Sequence, residues 1–116
     1  MTSFVLLFRM DITSPEAQPS PAQMRVYMEQ WTEWIGGISE KGRLADGGNH
    51  FSKKGTVLRP KGDQSDGPYT VQKESVAGYI IIDAKNLKEA VAIAKDCPIL
   101  QGEGTSVEVR EVGVPG

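Results

Sequence analysis

The segment from residue 21 to residue 41 constrains the fold most, because it is the longest stretch with the periodicity of an amphipathic helix. Ser20 and Pro21 make an N-cap signal, and Gln23 completes a capping box. Apolar residues then recur three and four positions apart, as residues on one helix face do; they are Met24, Tyr27, Met28, Trp31, Trp34, Ile35 and Ile38. We expect this face to be buried against a sheet.

The segments around this helix predict the strands of the sheet. Residues 3–10 form a nearly continuous apolar run, typical of a central strand covered on both faces. Residues 43–60 hold two short strand candidates around SKKG, a Gly-containing connection that favours a hairpin. Residues 69–72 are a candidate for a short strand, and the β-branched run 78–84 predicts a strong one. Residues 105–112 alternate valines with charged residues, which predicts a final strand.

A second helix is predicted over residues 87–96, with Asn86 as its N-cap and Pro98 after its end. Its expected buried stripe is Leu87, Ala90, Val91, Ala94 and Cys97. The proline-rich segment 12–21 is expected to be a loop and residues 113–116 a frayed tail. The order β-α-β-β-(β)-β-α-β predicts an α+β fold of the ferredoxin-like type, with two helices on one face of an antiparallel sheet.

The opposite face of this sheet also needs a cover, and the pattern offers no third helix. Packing of two sheets face to face in a homodimer with two-fold symmetry is the simplest solution. We therefore expect a second copy of the chain as a partner.

Length, charge and cysteine content bound the remaining possibilities. The 116 residues fit a single domain, 1–116. A formal net charge of −2, without a basic stripe interleaved with aromatic residues, argues against a nucleic-acid partner. No apolar stretch approaches the roughly 20 residues of a membrane span. Cys97 is the only cysteine and the first apolar run lacks a preceding basic region, so we expect a cytoplasmic protein with no membrane partner.

The latter half of the sequence carries a recognisable pattern. The stretch DGPYTVQKESVAGYIIIDAKNLKEAVAIAKDCP, followed by VEVREV, resembles the YCII-related family in its DGPF subgroup. Tyr69 replaces the Phe of the DGPF motif, and Ala77 replaces the first glycine of the strand signature. The resemblance implies a dimeric α/β-barrel fold and a family whose activity is mostly undefined.

Related YCII proteins are proposed to be enzymes with a His-Asp pair, and the matching His is not evident in this sequence. Whether the chain is an enzyme therefore stays open. The implied fold is also similar to that of muconolactone isomerases and antibiotic-biosynthesis monooxygenases, which place small-molecule pockets between helix and sheet. That likeness concerns the fold, and a fold does not give a function.

Two residues are candidates for catalysis. Asp66 precedes Gly-Pro, where an Asp caps its own turn by accepting backbone N–H groups; beside apolar walls it would instead serve as a general acid or base. His50 is the only histidine, and histidine is the residue type that titrates nearest neutral pH, although its turn-like context also suits an exposed bystander. No second His or Cys stands at ligand spacing, so no metal site or other cofactor is expected.

Further residues are candidates for substrate binding. Arg9 ends an apolar strand and would hold an anionic group or pair with Glu108 or Asp11. Lys73 is expected on the same side of a strand as Tyr69, facing a carboxylate or an anionic ligand, or else in a surface ion pair. Trp31, with Tyr27, Trp34 and Tyr79, is expected in the core or in an aromatic wall.

Two functions follow from these residues. The first is a small dimeric enzyme or ligand-binding protein with a pocket for an anionic or aromatic small molecule between sheet and helix. The alternative is a non-catalytic interaction or regulatory module.

Overall fold

The computed structural model describes residues 1–12, 14 and 18–113. Part of the predicted loop (13 and 15–17) and part of the predicted tail (114–116) lie outside these residues. The chain begins with β1 (Thr2–Met10) and α1 (Pro21–Glu40), close to their predicted ranges. The capping box is confirmed, because Gln23 N–H donates to Ser20 Oγ at 3.2 Å and Ser20 N–H donates to Gln23 Oε1 at 2.9 Å.

The remaining elements complete a ferredoxin-like arrangement. They are β2 (Leu44–His50), β3 (Thr56–Leu58), β4 (Gln64–Asp66), β5 (Ser75–Ala84), α2 (Leu87–Ala94) and β6 (Ser106–Glu111). Four of the strands form one antiparallel sheet in the order β2-β5-β1-β6. Both helices pack on one face of this sheet, which confirms the predicted α+β class.

The core lies between this face and the helices. Alternate residues of β1 and β5 point into it, as the two-residue period of a strand requires. The buried apolar residues are Phe4, Leu6, Phe8, Ile38, Ile80, Ile82, Ala84, Ala90, Ala94, Cys97 and Ile99. The stripe predicted for α2 is wrong at Leu87, whose side chain is 54% exposed because it lies in the first turn, at the rim of the core.

The opposite face of the sheet, which we call the open face, has no helix over it in the described part of the chain. The alternate residues of the two central strands lie there, where Leu7 is opposite Tyr79 and Val5 is opposite Ile81. Phe51 extends this apolar surface, since its ring centroid is 6.0 Å from that of Tyr79.

The hairpin predicted around SKKG is wrong. β2 pairs with β5, whereas β3 pairs with β4 in a separate two-stranded sheet. The turn of that hairpin lies between Arg59 and Asp63, where Pro60, Gly62 and Lys61 at φ +68° reverse the chain. We call residues 52–66 the arm; all of them are exposed except Val57, which is half-buried.

The short strand predicted at residues 69–72 is also wrong. Gln72 and Lys73 have φ values of +51° and +71°, and the backbones of Val71 and Glu74 exchange hydrogen bonds of 2.8 and 2.9 Å across them. Two successive residues with positive φ make a tight hairpin turn, so a strand cannot continue through them. Tyr69, just before this turn, is 62% exposed.

Candidate active or ligand-binding groove

A groove of about 520 Å³ lies between α1 and the end of the sheet at which β1 and β2 finish and β5 and β6 begin. It is on the helix-covered side of the sheet. Its lining residues are Phe8, Met10, Gln18, Pro19, Gln23, Met24, Tyr27, Met28, Trp31, His50, Ala77, Ile99, Gly102, Glu103 and Thr105.

The groove forms because α1 is longer than the surface it covers. The second half of the helix packs on the sheet, with Ile38 buried and Trp34 and Ile35 against the core. In the first half, residues 21–29 are exposed except for Tyr27, which is half-buried. The free half of α1 therefore makes one wall of the groove.

The opposite wall is a short connection between α2 and β6. Pro98–Gln101 form a 3-10 turn, and Thr105 Oγ1 donates to the carbonyl oxygens of Ile99 and Gly102 at 2.7 and 2.9 Å. Gly104 has φ +66°, which allows the chain to turn back into β6. These bonds fix the loop that carries Glu103 at the edge of the groove.

An aromatic cluster makes the inner end of the groove. The Trp31 ring meets Phe8 edge-on at 4.8 Å and Trp34 at 5.5 Å between ring centroids. Trp34 Nε1 donates to the carbonyl oxygen of Ile93 at 3.2 Å, which ties the cluster to α2. Edge-to-face packing at these distances adds about 0.5–1.5 kcal/mol per pair beyond burial. The position of Trp31 is therefore well determined before any ligand enters.

The structure brings two of the candidate residues from the sequence together in this groove. His50 is the last residue of β2, and its ring centroid lies 6.1 Å from that of Trp31. His50 is exposed, so it is accessible from the groove and from solvent. Tyr27 also lines the groove, so three aromatic side chains belong to its lining.

Arg9 and Tyr79 lie on the open face instead. Arg9 Nη2 donates to Glu108 Oε1 at 2.8 Å, so Arg9 has one of the two partners that its position suggested. Glu108 Oε2 also lies 3.2 Å from Arg110 Nη1. Hydrogen bonds from Arg9 and then Arg110 hold the pKa of the Glu108 carboxyl below its ordinary value.

The remaining candidates, Asp66, Tyr69 and Lys73, are not among the described residues that line the groove. Asp66 is the last residue of β4, opposite Thr56, and is exposed. Gly67 N–H donates to the carbonyl oxygen of Gly55 at 2.6 Å, so the Asp-Gly-Pro stretch closes the base of the arm. Lys73 is exposed at the tip of the turn that leads into β5.

The sequence pattern did not identify Glu103 or the methionines of the groove as residues of a site. Met24 and Met28 were expected in the buried stripe of α1, but they are 45% and 51% exposed. Helical periodicity shows which residues share a face, but it does not show where the covering sheet ends. It therefore could not predict that Met24 and Met28 are exposed. Met10 and Glu103 stand in a strand and a loop, and nothing in their spacing distinguished them.

Cys97, the one cysteine of the sequence, does not line the groove. Burial raises the pKa of its thiol to about 12, which disfavours the reactive thiolate at neutral pH. Among the described residues, no three His, Cys, Asp or Glu side chains are grouped so that they could hold a metal ion. No helix within the described ranges is both long and apolar enough to span a bilayer.

Comparison with known proteins gives one result about the whole chain. No curated protein sequence matches it. The family model of the YCII-related domain matches residues 12–113, which is most of the chain. The chain therefore belongs to the YCII-related domain family.

Proposed function

We propose that this protein binds a small aromatic or apolar molecule in the groove between α1 and the sheet. The volume of the groove, about 520 Å³, carries the proposal. Sites for small molecules usually measure about 300–1,000 Å³ and combine apolar walls with a few polar groups. Methionines on both α1 and β1, together with the Trp31 ring, supply such walls, and methionine adapts to ligands of irregular shape.

The lining favours an aromatic ligand over an anionic one. No Lys or Arg is among the described residues that line the groove. Arg9, which the sequence suggested for an anion, lies on the open face and is paired with Glu108 at 2.8 Å. An anion entering the groove would lose hydration without gaining a cationic partner.

Within this proposal, His50 is the group that would transfer protons if the protein is an enzyme. A general base must come within hydrogen-bond reach of the proton that it removes. His50 lines the groove beside Trp31, which supports this role for a ligand bound there. Asp66 lies on the arm, so we assign it to the structure of the hairpin.

We also propose that two copies associate through their open faces. Val5, Leu7, Ile81 and Tyr79 place an apolar centre on this face. Charges lie along its edge, on Glu108 and Arg110 of the edge strand β6 and on Arg9 near the end of β1. An apolar centre with a polar rim is the composition of protein interfaces. The alternative function, a non-catalytic interaction module, rests on the same face and needs no ligand in the groove.

Ligand binding is tested by thermal shift and calorimetry with a panel of small uncharged aromatic compounds. A ligand present at about 100 times its dissociation constant should stabilise the folded state by about 2.7 kcal/mol. We expect Met28→Gln to weaken binding about five- to tenfold, because it replaces part of an apolar wall by a polar group.

Val26→Gln is the matched control for this experiment. Val26 is 53% exposed, almost the same fraction as the 51% of Met28, and it is on the same helix but does not line the groove. Equal loss of binding in both variants would contradict the groove as the site. A panel without any binder would favour the interaction module.

A further inference from the structure

The described lining of the groove carries a negative charge without a Lys or Arg to balance it. Glu103 is the only acidic residue in its described lining, and the lining holds no Lys or Arg. Glu103 forms no ion pair with any residue that the structure describes, whereas Glu108 and Glu89 are each paired with an arginine. The lining of the groove thus contains an uncompensated carboxylate as well as aromatic rings.

The position of Glu103 suits recognition of the end of a ligand. It is exposed, on the loop that Thr105 holds in place through its two hydrogen bonds of 2.7 and 2.9 Å. A charged group placed there would keep part of its hydration while the rest of the molecule enters the apolar groove. Such an arrangement avoids the cost of burying a charge.

We propose that the ligand of the groove is an apolar or aromatic amine, with its ammonium group beside Glu103 and its ring against Trp31 and Tyr27. This inference rests on the proposed function and adds the class of ligand to it. Two interactions select a cation over a neutral molecule of the same shape. One is the attraction to the carboxylate, and the other is the attraction of a cation to the faces of aromatic rings.

The size of the preference follows from the exposure of Glu103. Ion pairs in contact with solvent are screened, so each of the two interactions has a modest effect. We expect an amine to bind about three- to tenfold more tightly than its uncharged analogue. A carboxylate analogue should bind more weakly than both, because it is repelled by Glu103.

Three indole compounds of similar shape test this inference by calorimetry: tryptamine, tryptophol and indole-3-propionate, with charges of about +1, 0 and −1 at neutral pH. The wild type should bind them in that order of decreasing affinity. Glu103→Gln should bring the affinity for tryptamine to within about twofold of that for tryptophol and leave tryptophol unaffected. Added salt should reduce the preference in the wild type.

Glu111→Gln is the matched control. Glu111 is an exposed acid at the far end of β6, away from the groove, so its removal should preserve the order of the three compounds. If tryptophol binds but tryptamine binds no better, or if Glu103→Gln leaves the preference intact, the amine inference is wrong and the groove remains a binding site. If none of the three binds the wild type, the inference and the proposed groove function both fail.

Discussion

The two faces of the central sheet use the same kinds of residue in different ways. Ile80 and Ile82 in β5 point toward the helices and are 2% and 0% exposed, while Ile81 between them lies half-buried on the open face. All three favour a strand equally, so their sequence does not distinguish the faces. The difference arises from the two helices, which cover one face.

The charged residues differ between the faces as well. On the open face, Arg9 is paired with Glu108, and Ser3 Oγ donates to Asp83 Oδ1 at 2.8 Å. On the helix-covered side, Arg43 is paired with Glu89 of α2, whereas Glu103 at the groove has no ion-pair partner among the described residues. Paired charges fix a surface, whereas an unpaired charge beside apolar walls is available for a ligand. We therefore propose the helix side for a ligand and the open side for a second copy.

Two adjacent isoleucines of β5, Ile81 and Ile82, give the most sensitive test of the difference between the two faces. Ile82→Ala should lower the free energy of unfolding by about 2–5 kcal/mol, because it leaves a cavity in the core. Ile81→Ala should cost less in dilute solution, since its side chain is only partly buried in one chain. Urea unfolding of both variants over a range of protein concentrations measures these costs.

The dependence on protein concentration shows whether Ile81 lies in an interface between two copies. If two copies associate through the open face, the cost of Ile81→Ala should grow with protein concentration, whereas the cost of Ile82→Ala should not. Sedimentation of Ile81→Ala should then show a shift toward monomer. Equal and concentration-independent costs for both variants would contradict the contrast between the faces.

The glycines of β2 test how closely this strand approaches β5. A Cβ at Gly48 would lie 1.6 Å from the Tyr79 carbonyl oxygen, and φ is +65° there. Gly48→Ala should therefore destabilise the fold by about 2–4 kcal/mol through the clash and the left-handed backbone. Gly47→Ala is the control, because a Cβ there meets no atom within 4 Å. Thermal unfolding of the two variants measures the difference, and a similar midpoint for both would contradict this account of the close approach of β2 to β5.

Local signals in the sequence predicted most of the fold. The capping residues, the helical spacing, the apolar run of β1, the β-branched run around Ile81 and the alternating valines of β6 each reflect physics within a few residues. They placed both helices and three strands of the main sheet, β1, β5 and β6. The arm and the turn at Gln72 were missed, since pairing partners and positive φ in non-glycine residues depend on the surrounding structure. The sequence could not show which side of the sheet Arg9 and His50 would face.

The ion pair of Glu108 on the open face should contribute only a small part of the free energy of unfolding, and this part should depend on pH. The pKa of this carboxyl is lower in the folded state than its ordinary value. The ion pair therefore stabilises the fold fully at pH values above that ordinary pKa. That stability is lost as the pH falls through the lowered pKa. The side chain is 35% exposed, so solvent screening limits the contribution to a few tenths of a kcal/mol and at most about 1 kcal/mol.

Glu108→Gln should remove this part of the acid sensitivity, measured as the difference in unfolding free energy between neutral and acidic pH. Glu111→Gln, on the same strand and exposed, should leave it unchanged. If a second copy covers the open face, water is excluded from the pair, and the effect of Glu108→Gln should increase with protein concentration. An effect as large in dilute as in concentrated solution would mean that the open face stays in contact with water. The pair would then belong to a free surface, and the contrast between the two faces would concern the groove alone.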